Sequence, residues 1–155
     1  METTILHSDL SVEWMSHKRS KNAFVTTTNA SLSFGTFPKN NAHWPELEIR
    51  LKVGFAGFGR ARSGAFGVRH IYEKHSKEIG ITCPSQVSGY IESIITDGAT
   101  VIVDTVKDEN AVLVIESKTG LVILRLSKDK TYYDIISAYD RKPHPGTVIA
   151  MIKQA

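Results

Sequence analysis

The stretch LVILRLSKDKTYYDIISAYD, residues 121–140, decides the fold class that the sequence predicts. Two short runs rich in β-branched and aromatic residues flank the polar segment KDK, residues 128–130, and this pattern is typical of a β-hairpin. Antiparallel strands can be joined by such a tight turn, whereas parallel strands need a crossover of a dozen or more residues. The stretch therefore predicts two neighbouring strands of an antiparallel sheet.

Similar runs extend this sheet on both sides of the hairpin. Three further strand-like segments cover residues 99–106, 111–120 and 146–153. Upstream of them, GVRHIYEKHSKEIG (67–80) and TCPSQVSGYIESIITDG (82–98) space their apolar residues as helices do, and each ends at a glycine. The predicted fold is α+β, with these N-terminal helices packed on one face of a four- to five-stranded antiparallel sheet.

The chain divides by composition near residue 60. Residues 1–45 are rich in Ser, Thr and Asn and show no periodicity, although the alternation in PELEIRLKV (45–53) predicts one strand. The glycine-rich segment 54–67 lacks the GxxxxGK pattern of a P-loop and is interpreted as a flexible basic loop. We therefore expect an N-terminal segment, 1–60, and a functional domain, 61–155.

Composition excludes several classes of protein. The single cysteine, Cys83, cannot form an internal disulfide and lacks a CxxC partner for a structural zinc site. No apolar run approaches the ~18 residues of a membrane span, and the N-terminus lacks the pattern of a secretory signal.

The net charge is only +3, but from Arg50 to Lys77 seven basic residues accompany one acid, Glu73. Such a local basic patch attracts phosphate groups.

The first helix carries two histidines, His70 and His75. At about 100° per residue, His75 lies within the apolar arc of the helix, whereas His70 lies on another face with Lys74. The i, i+5 spacing does not converge on one metal ion, so no metal site is expected. His75 is either a satisfied core histidine or a general acid or base in a cleft against the sheet. His70 is either an exposed helix residue or one that touches the preceding loop.

The strand residue Arg125 is a charge in an otherwise apolar run. Alternation places it on the same side of its strand as Leu121 and Ile123. An arginine in such a position is rarely buried alone. It either pairs with Asp104 or Glu116, or it binds an anionic ligand.

The next strand contains a serine and a tyrosine two residues apart. Strict alternation predicts that Tyr133, Ile135, Ser137 and Tyr139 share one face. The Ser137 hydroxyl and the Tyr139 phenol could then contact one phosphate. The alternative is an ordinary half-exposed strand pair.

Four features, taken in chain order, resemble a known family. They are the helix motif RHIYEKH (69–75), a second amphipathic helix, a meander of strands and a last core strand with SAY (137–139). The family is that of the barnase–EndoU–colicin–RelE (BECR) nucleases, many of which are C-terminal toxin domains of contact-dependent growth inhibition proteins. The resemblance covers about residues 64–155. It leaves out the N-terminal segment, 1–60, to which it implies an entry or accessory role, and it makes residues 61–155 a ribonuclease toxin domain. It implies a BECR fold and an endoribonuclease that needs neither metal nor cofactor. In such an enzyme the ribose 2′-hydroxyl attacks the adjacent phosphorus and leaves a 2′,3′-cyclic phosphate.

The resemblance also implies roles for individual residues. His75 would act as the acid or base, and His70 as a second one or as a phosphate-positioning group. Arg125 would stabilise the phosphorane, and Ser137 and Tyr139 would contact phosphate or ribose. Substrate-binding roles would fall to three basic side chains near the first helix: Lys74, Arg69 and Arg62.

Partners and location follow from the same resemblance. The expected substrate is RNA, above all tRNA, and a cognate immunity protein is implied, as is a host activating factor in some members. The toxin would be delivered from a secreted or cell-surface effector, act in the cytoplasm of the target bacterium and form no stable membrane association. Two alternatives stay open: a ribosome-dependent mRNA endonuclease, against which the modest charge of +3 argues, and a non-catalytic nucleic-acid or protein-binding module.

Overall fold

The computed structural model describes residues 3–16, 21–40, 42, 44–103, 112–142 and 146–153. Within them the strands are β1 Thr4–Ile5, β2 Phe24–Val25, β3 Ile49–Lys52, β4 Thr100–Val103, β5 Leu113–Glu116, β6 Gly120–Leu126, β7 Tyr133–Asp140 and β8 Thr147–Met151. The α-helices are α1 Val12–Ser16, α2 Gly67–Ile79 and α3 Val87–Ile94, with short 3₁₀ turns at His7–Asp9 and Pro84–Gln86. None of the described helices has the length and apolar character needed to cross a bilayer.

The strands form one mixed sheet in the order β1-β2-β3-β7-β6-β5-β4-β8. Strands β4 to β7 follow each other in antiparallel pairs, and β8 returns to pair with β4. However, β3 pairs with β7 in parallel, as β1 does with β2. The predicted fold class, helices on a four- to five-stranded antiparallel sheet of the BECR type, is therefore wrong. The reason is that the N-terminal segment adds three strands, two of them only two residues long, which are too short to show a periodicity.

Residues from the N-terminal segment 1–60 belong to the same hydrophobic core as the rest of the chain. Phe37 is fully buried and stacks on Tyr133 of β7, with 4.3 Å between ring centroids. The Tyr133 hydroxyl donates a hydrogen bond of 2.7 Å to the carbonyl of Pro45. These contacts join the N-terminal segment to the central strand, while its entry or accessory role stays a prediction.

The two faces of the sheet have different surroundings. The first, called here the helix face, packs against α3 and the apolar side of α2, where Ile71 and Ile91 are fully buried. The second, called the opposite face, carries a smaller apolar cluster of Ile102, Val114 and Leu121. Each strand supplies both faces because its side chains alternate.

The glycine-rich segment before α2 is closed on itself. The backbones of Phe55 and Phe66 exchange two hydrogen bonds of 2.9 Å, and a second bridge joins Phe58 and Ser63. At its base Gly67 has a φ of 75°, and a Cβ atom there would lie 2.5 Å from the carbonyl oxygen of Lys52. Only glycine fits at this point, where the backbone passes close to the end of β3. This close backbone crossing sets where α2 begins.

Replacing Gly67 by alanine tests this constraint, because the chain contains a matched control. Gly80, which caps the end of α2, has the same φ of 75°, but a Cβ there would meet no atom of the described residues within 4 Å. Gly80→Ala should lower the free energy of unfolding by about 1–2 kcal/mol through backbone strain alone. Gly67→Ala should lower it by about 3 kcal/mol or more, because the steric clash adds to the strain. Equal losses in urea unfolding of the two variants would contradict the close crossing.

Candidate active site

Both histidines of α2 are buried, and their rings are in contact. His75 is 4% exposed and His70 is 8% exposed, so the expectation that His70 is an exposed helix residue is wrong. The ring centroids lie 5.6 Å apart in an edge-to-face arrangement. This centroid distance is shorter than the ~7.5 Å by which five residues advance along a helix axis. The packing of α2 against β7 buries both side chains; the helix pattern places His75 in the apolar arc but does not reveal the burial of His70.

Glu78 holds His75 in place from the same helix. The His75 Nδ1 lies 2.5 Å from Oε1 of Glu78, and the backbone N–H of Asp140 donates a 3.2 Å hydrogen bond to Oε2. Burial by itself would raise the pKa of Glu78, but the contacts with His75, Asp140 and Lys142 outweigh it and lower the pKa. Because a carboxylate only accepts, the geometry places a proton on Nδ1 of His75 and leaves Nε2 for proton transfer.

An extra residue in β7 determines which way its polar side chains point. Ile123 of β6 pairs with Ser137, but the next residue, Leu124, pairs with Ile135, so Ile136 is left over as a bulge. The prediction that Tyr133 and Ile135 share a face with Ser137 and Tyr139 is therefore wrong.

The bulge places Ser137 and Tyr139 on the opposite face of the sheet. Their register partners there are Ile123 and Leu121, whereas Tyr133 and Ile135 belong to the core under the helices. Arg125 follows Ile123 by two residues on the same face, roughly 7 Å along the strand at ~3.3 Å per residue. Serine, tyrosine and arginine thus lie on one surface.

Tyr139 connects the histidines to a further cation. Its ring centroid is 5.0 Å from that of His75, and the Lys142 Nζ lies 4.3 Å from the centre of the Tyr139 ring. Burial, together with the nearby Glu78 charge, raises the pKa of the Tyr139 phenol. The hydroxyl therefore stays protonated near neutral pH and is available as a hydrogen-bond donor.

His70 lies in a positive environment. Burial lowers its pKa to about 4, and the charges of His75, Lys74 and Arg62 contribute in the same direction. The His70 ring is therefore neutral at pH 7. Among the residues that the structure describes, neither its Nδ1 nor the buried Ser137 Oγ has a hydrogen-bond partner. Buried polar atoms without a partner are uncommon in native proteins and are typical of places where a ligand or water binds.

We call these side chains the histidine cluster: His70, His75, Glu78, Ser137, Tyr139 and Lys142. Two of the predicted substrate-binding residues lie next to it. Lys74 is exposed, and Arg62 is half-buried, with its Nη1 3.6 Å from Oε2 of Glu73. Arg69 points elsewhere, since its guanidinium donates to the carbonyls of Met15 and Gly54 at 3.4 and 3.3 Å.

Arg125 belongs to a neighbouring cavity rather than to the cluster itself. The cavity has a volume of 620 Å³ and is also lined by Lys52 and Asp134. Of the two acids proposed as partners of Arg125, Glu116 lies 4.0 Å from Arg141, and Asp104 is outside the described residues. Register instead sets Arg125 opposite Asp134.

Across the described part of the chain, no group of three or more His, Cys, Asp or Glu side chains is placed to share one metal ion. The chain matches no protein-family model, and no curated protein sequence matches it. The nuclease resemblance therefore stays a prediction from the sequence.

Sequence reasoning missed two members of the histidine cluster, Glu78 and Lys142, and one residue of the neighbouring cavity, Lys52. Glu78 could have been found, because it follows His75 at the i, i+3 spacing of side chains that meet on a helix. Lys142 and Lys52 could not have been found, because they lie outside α2 and belong to no recognisable motif.

The low pKa of His70 predicts a pH dependence of stability. The unfolded chain takes up a proton at His70 near pH 6.5, but the folded chain does so only near pH 4. Acid therefore favours the unfolded state within this window, and stability should fall by up to about 3 kcal/mol between pH 6.5 and 4. Urea unfolding of wild type and His70→Gln at both pH values measures this contribution.

The variant should lose less stability than wild type as the pH falls. In wild type, the His70 ring proton resonance should titrate well below pH 6. A His70 titration near 6.5, with parallel stability curves for the two proteins, would contradict the buried environment.

Proposed function

We propose that this chain is a metal-independent endoribonuclease that cleaves RNA through attack of the ribose 2′-hydroxyl on the adjacent phosphorus. The products are a 2′,3′-cyclic phosphate and a free 5′-hydroxyl. The observation that carries the proposal is the buried histidine pair, with one ring bonded to Glu78 and the other neutral, beside two hydroxyl side chains. The reaction needs a base, an acid and positive charge, and the cluster contains candidates for all three.

In this proposal the two histidines have different tasks. His70 is neutral at pH 7 and has an unpartnered ring nitrogen, so it accepts the proton of the 2′-hydroxyl. His75 keeps its Nδ1 proton on Glu78 and, in its protonated form, delivers the Nε2 proton to the departing 5′-oxygen. Transfer in the reverse sense restores both rings when water opens the cyclic phosphate.

Positive and hydroxyl groups stabilise the charge that grows on the phosphorane. The positive charges of Arg62 and Lys74 act on His70, and the Lys142 ammonium lies over the Tyr139 ring. The hydroxyls of Ser137 and Tyr139 donate hydrogen bonds to phosphate oxygens. Such preorganised donors act where solvent is excluded, and they are worth more there than in water.

The proposed substrate is a single-stranded loop of RNA, above all the anticodon loop of a tRNA. Attack by the 2′-hydroxyl requires the leaving oxygen in line, and a regular A-form helix resists this geometry. The chain then acts as a toxin delivered into the cytoplasm of a target bacterium. A cognate immunity protein with an acidic surface suits the basic residues around the site.

The deep burial of both histidines favours a second candidate, a non-catalytic RNA- or protein-binding module in which the pair is structural. The two candidates differ in one respect: only the first has an activity that can be lost.

Cleavage of total RNA in EDTA tests the proposal. The purified chain should produce fragments with 2′,3′-cyclic phosphate ends, and His75→Gln should lower the rate at least about 100-fold, the usual contribution of an acid–base group. His7→Gln is the matched control, because its ring lies near the Ser85 carbonyl, 3.4 Å away, outside the histidine cluster. Circular dichroism checks that both variants fold.

The assay is repeated with bacterial extract, which supplies a host factor if one is required. The absence of cleavage by the folded wild type under both conditions would favour the binding module.

Glu78→Gln tests the positioning role of this carboxylate. The amide keeps the shape of the carboxylate, but one of its two ends donates instead of accepting. It cannot accept from both the His75 Nδ1 and the Asp140 N–H, so His75 loses its fixed orientation. We expect kcat to fall about 10–100-fold with little change in KM and with a displaced pH–rate profile, as is typical of partners that orient a histidine. Lys77→Ala, an exposed neighbour on the same helix, should keep both parameters. An unchanged pH profile for Glu78→Gln would rule out this role.

A further inference from the structure

The cavity that contains Arg125 is a second feature of the opposite face, and we call it the basic pocket. It lies where β3, β6 and β7 meet. Four of its lining side chains are cationic: Lys21, Lys52, Arg125 and Lys128. At 620 Å³ it falls in the range of pockets that hold compact ligands.

A buried acid lies among these cations. Asp134 is 6% exposed, and its Oδ2 accepts a 3.5 Å hydrogen bond from the Lys52 Nζ. Its Oδ1 lies 3.4 Å from the same nitrogen but has no hydrogen-bond partner among the described residues. Lys52 is itself held over the Tyr132 ring, 5.2 Å from the ring centre. The pocket thus presents positive charge for an anion and a buried oxygen that can accept a hydrogen bond from a ligand.

The pocket and two members of the histidine cluster, Ser137 and Tyr139, lie on the same face of β7. Asp134 precedes Ser137 by three residues of β7, roughly 10 Å at ~3.3 Å per residue. This separation is short enough for one RNA strand to reach both places with neighbouring nucleotides.

We infer that the basic pocket binds one nucleotide of the RNA next to the cleaved bond. Arg125, Lys52 and Lys128 hold its phosphate, and Asp134 accepts a hydrogen bond from an exocyclic amine of its base. The pocket therefore selects adenine, cytosine or guanine over uracil, which has no such amine. The position of this nucleotide relative to the cut rests on the proposed function, whereas the binding itself does not.

Mononucleotides test the inference without any cleavage, because they contain no bond for the enzyme to cut. Binding of AMP, CMP, GMP, UMP and inorganic phosphate to the wild-type chain is measured by calorimetry in EDTA. The first three should bind at least about 5-fold more tightly than UMP, in line with a single base-specific contact. Inorganic phosphate should bind more weakly than any of the four.

Two variants and a control locate the binding. Asp134→Asn should reduce the preference against UMP, because an amide can donate to a uracil carbonyl as well as accept. Arg125→Ala should weaken all four nucleotides by a similar factor. Lys118→Ala, which removes an exposed charge in the β5–β6 turn outside the pocket, should change nothing.

Equal affinities for the four nucleotides, or affinities that Arg125→Ala leaves unchanged, would overturn the inference. If Asp134→Asn does not fold, amide chemical-shift changes at Ser127 and Lys128 of the wild type decide the location, and their absence overturns it. Cleavage without nucleotide preference contradicts this inference alone. Preferential nucleotide binding without cleavage supports the pocket and contradicts the proposed function alone.

Discussion

One extra residue in β7, Ile136, determines which face of the sheet carries Ser137 and Tyr139. Before the bulge, Tyr133 and Ile135 point into the core beneath the helices. After it, Ser137 and Tyr139 point to the opposite face. A strand without the bulge would turn both side chains into the core beneath the helices, away from the face that carries Arg125.

A second constraint joins the bulged strand to the helix beside it. Glu78 contacts the His75 ring through one carboxylate oxygen and the backbone of Asp140 through the other. Rotation of the imidazole would break the first contact, and movement of the end of β7 would break the second. The ring orientation is therefore coupled to the position of the strand. The neutral His70 and the unpartnered Ser137 hydroxyl lie in the same region and remain available to a ligand.

Local patterns in the sequence predict α2 and the runs that become β4 to β8, because each has a clear period and a glycine or polar turn at its ends. The short strands β1 and β2 leave no such pattern, and no local pattern predicts the parallel pairing of β3 with β7. Together they make the sheet mixed and larger than expected. The bulge is equally hidden, since strict alternation assigns Ser137 and Ile135 to one face. The burial of His70 follows from the packing of α2 on β7, and a helical wheel gives no information on such tertiary contacts.

The central claim is that the histidine cluster cuts RNA, and the cut ends test it most directly. RNA from bacteria that express the chain can be sequenced for new 5′-hydroxyl ends, with His75→Gln as the reference. The account predicts that such ends occur at discrete positions in single-stranded loops, are matched by upstream cyclic phosphates and are absent with the variant. Identical end profiles in the two strains, with both proteins folded and present at equal levels, would contradict it.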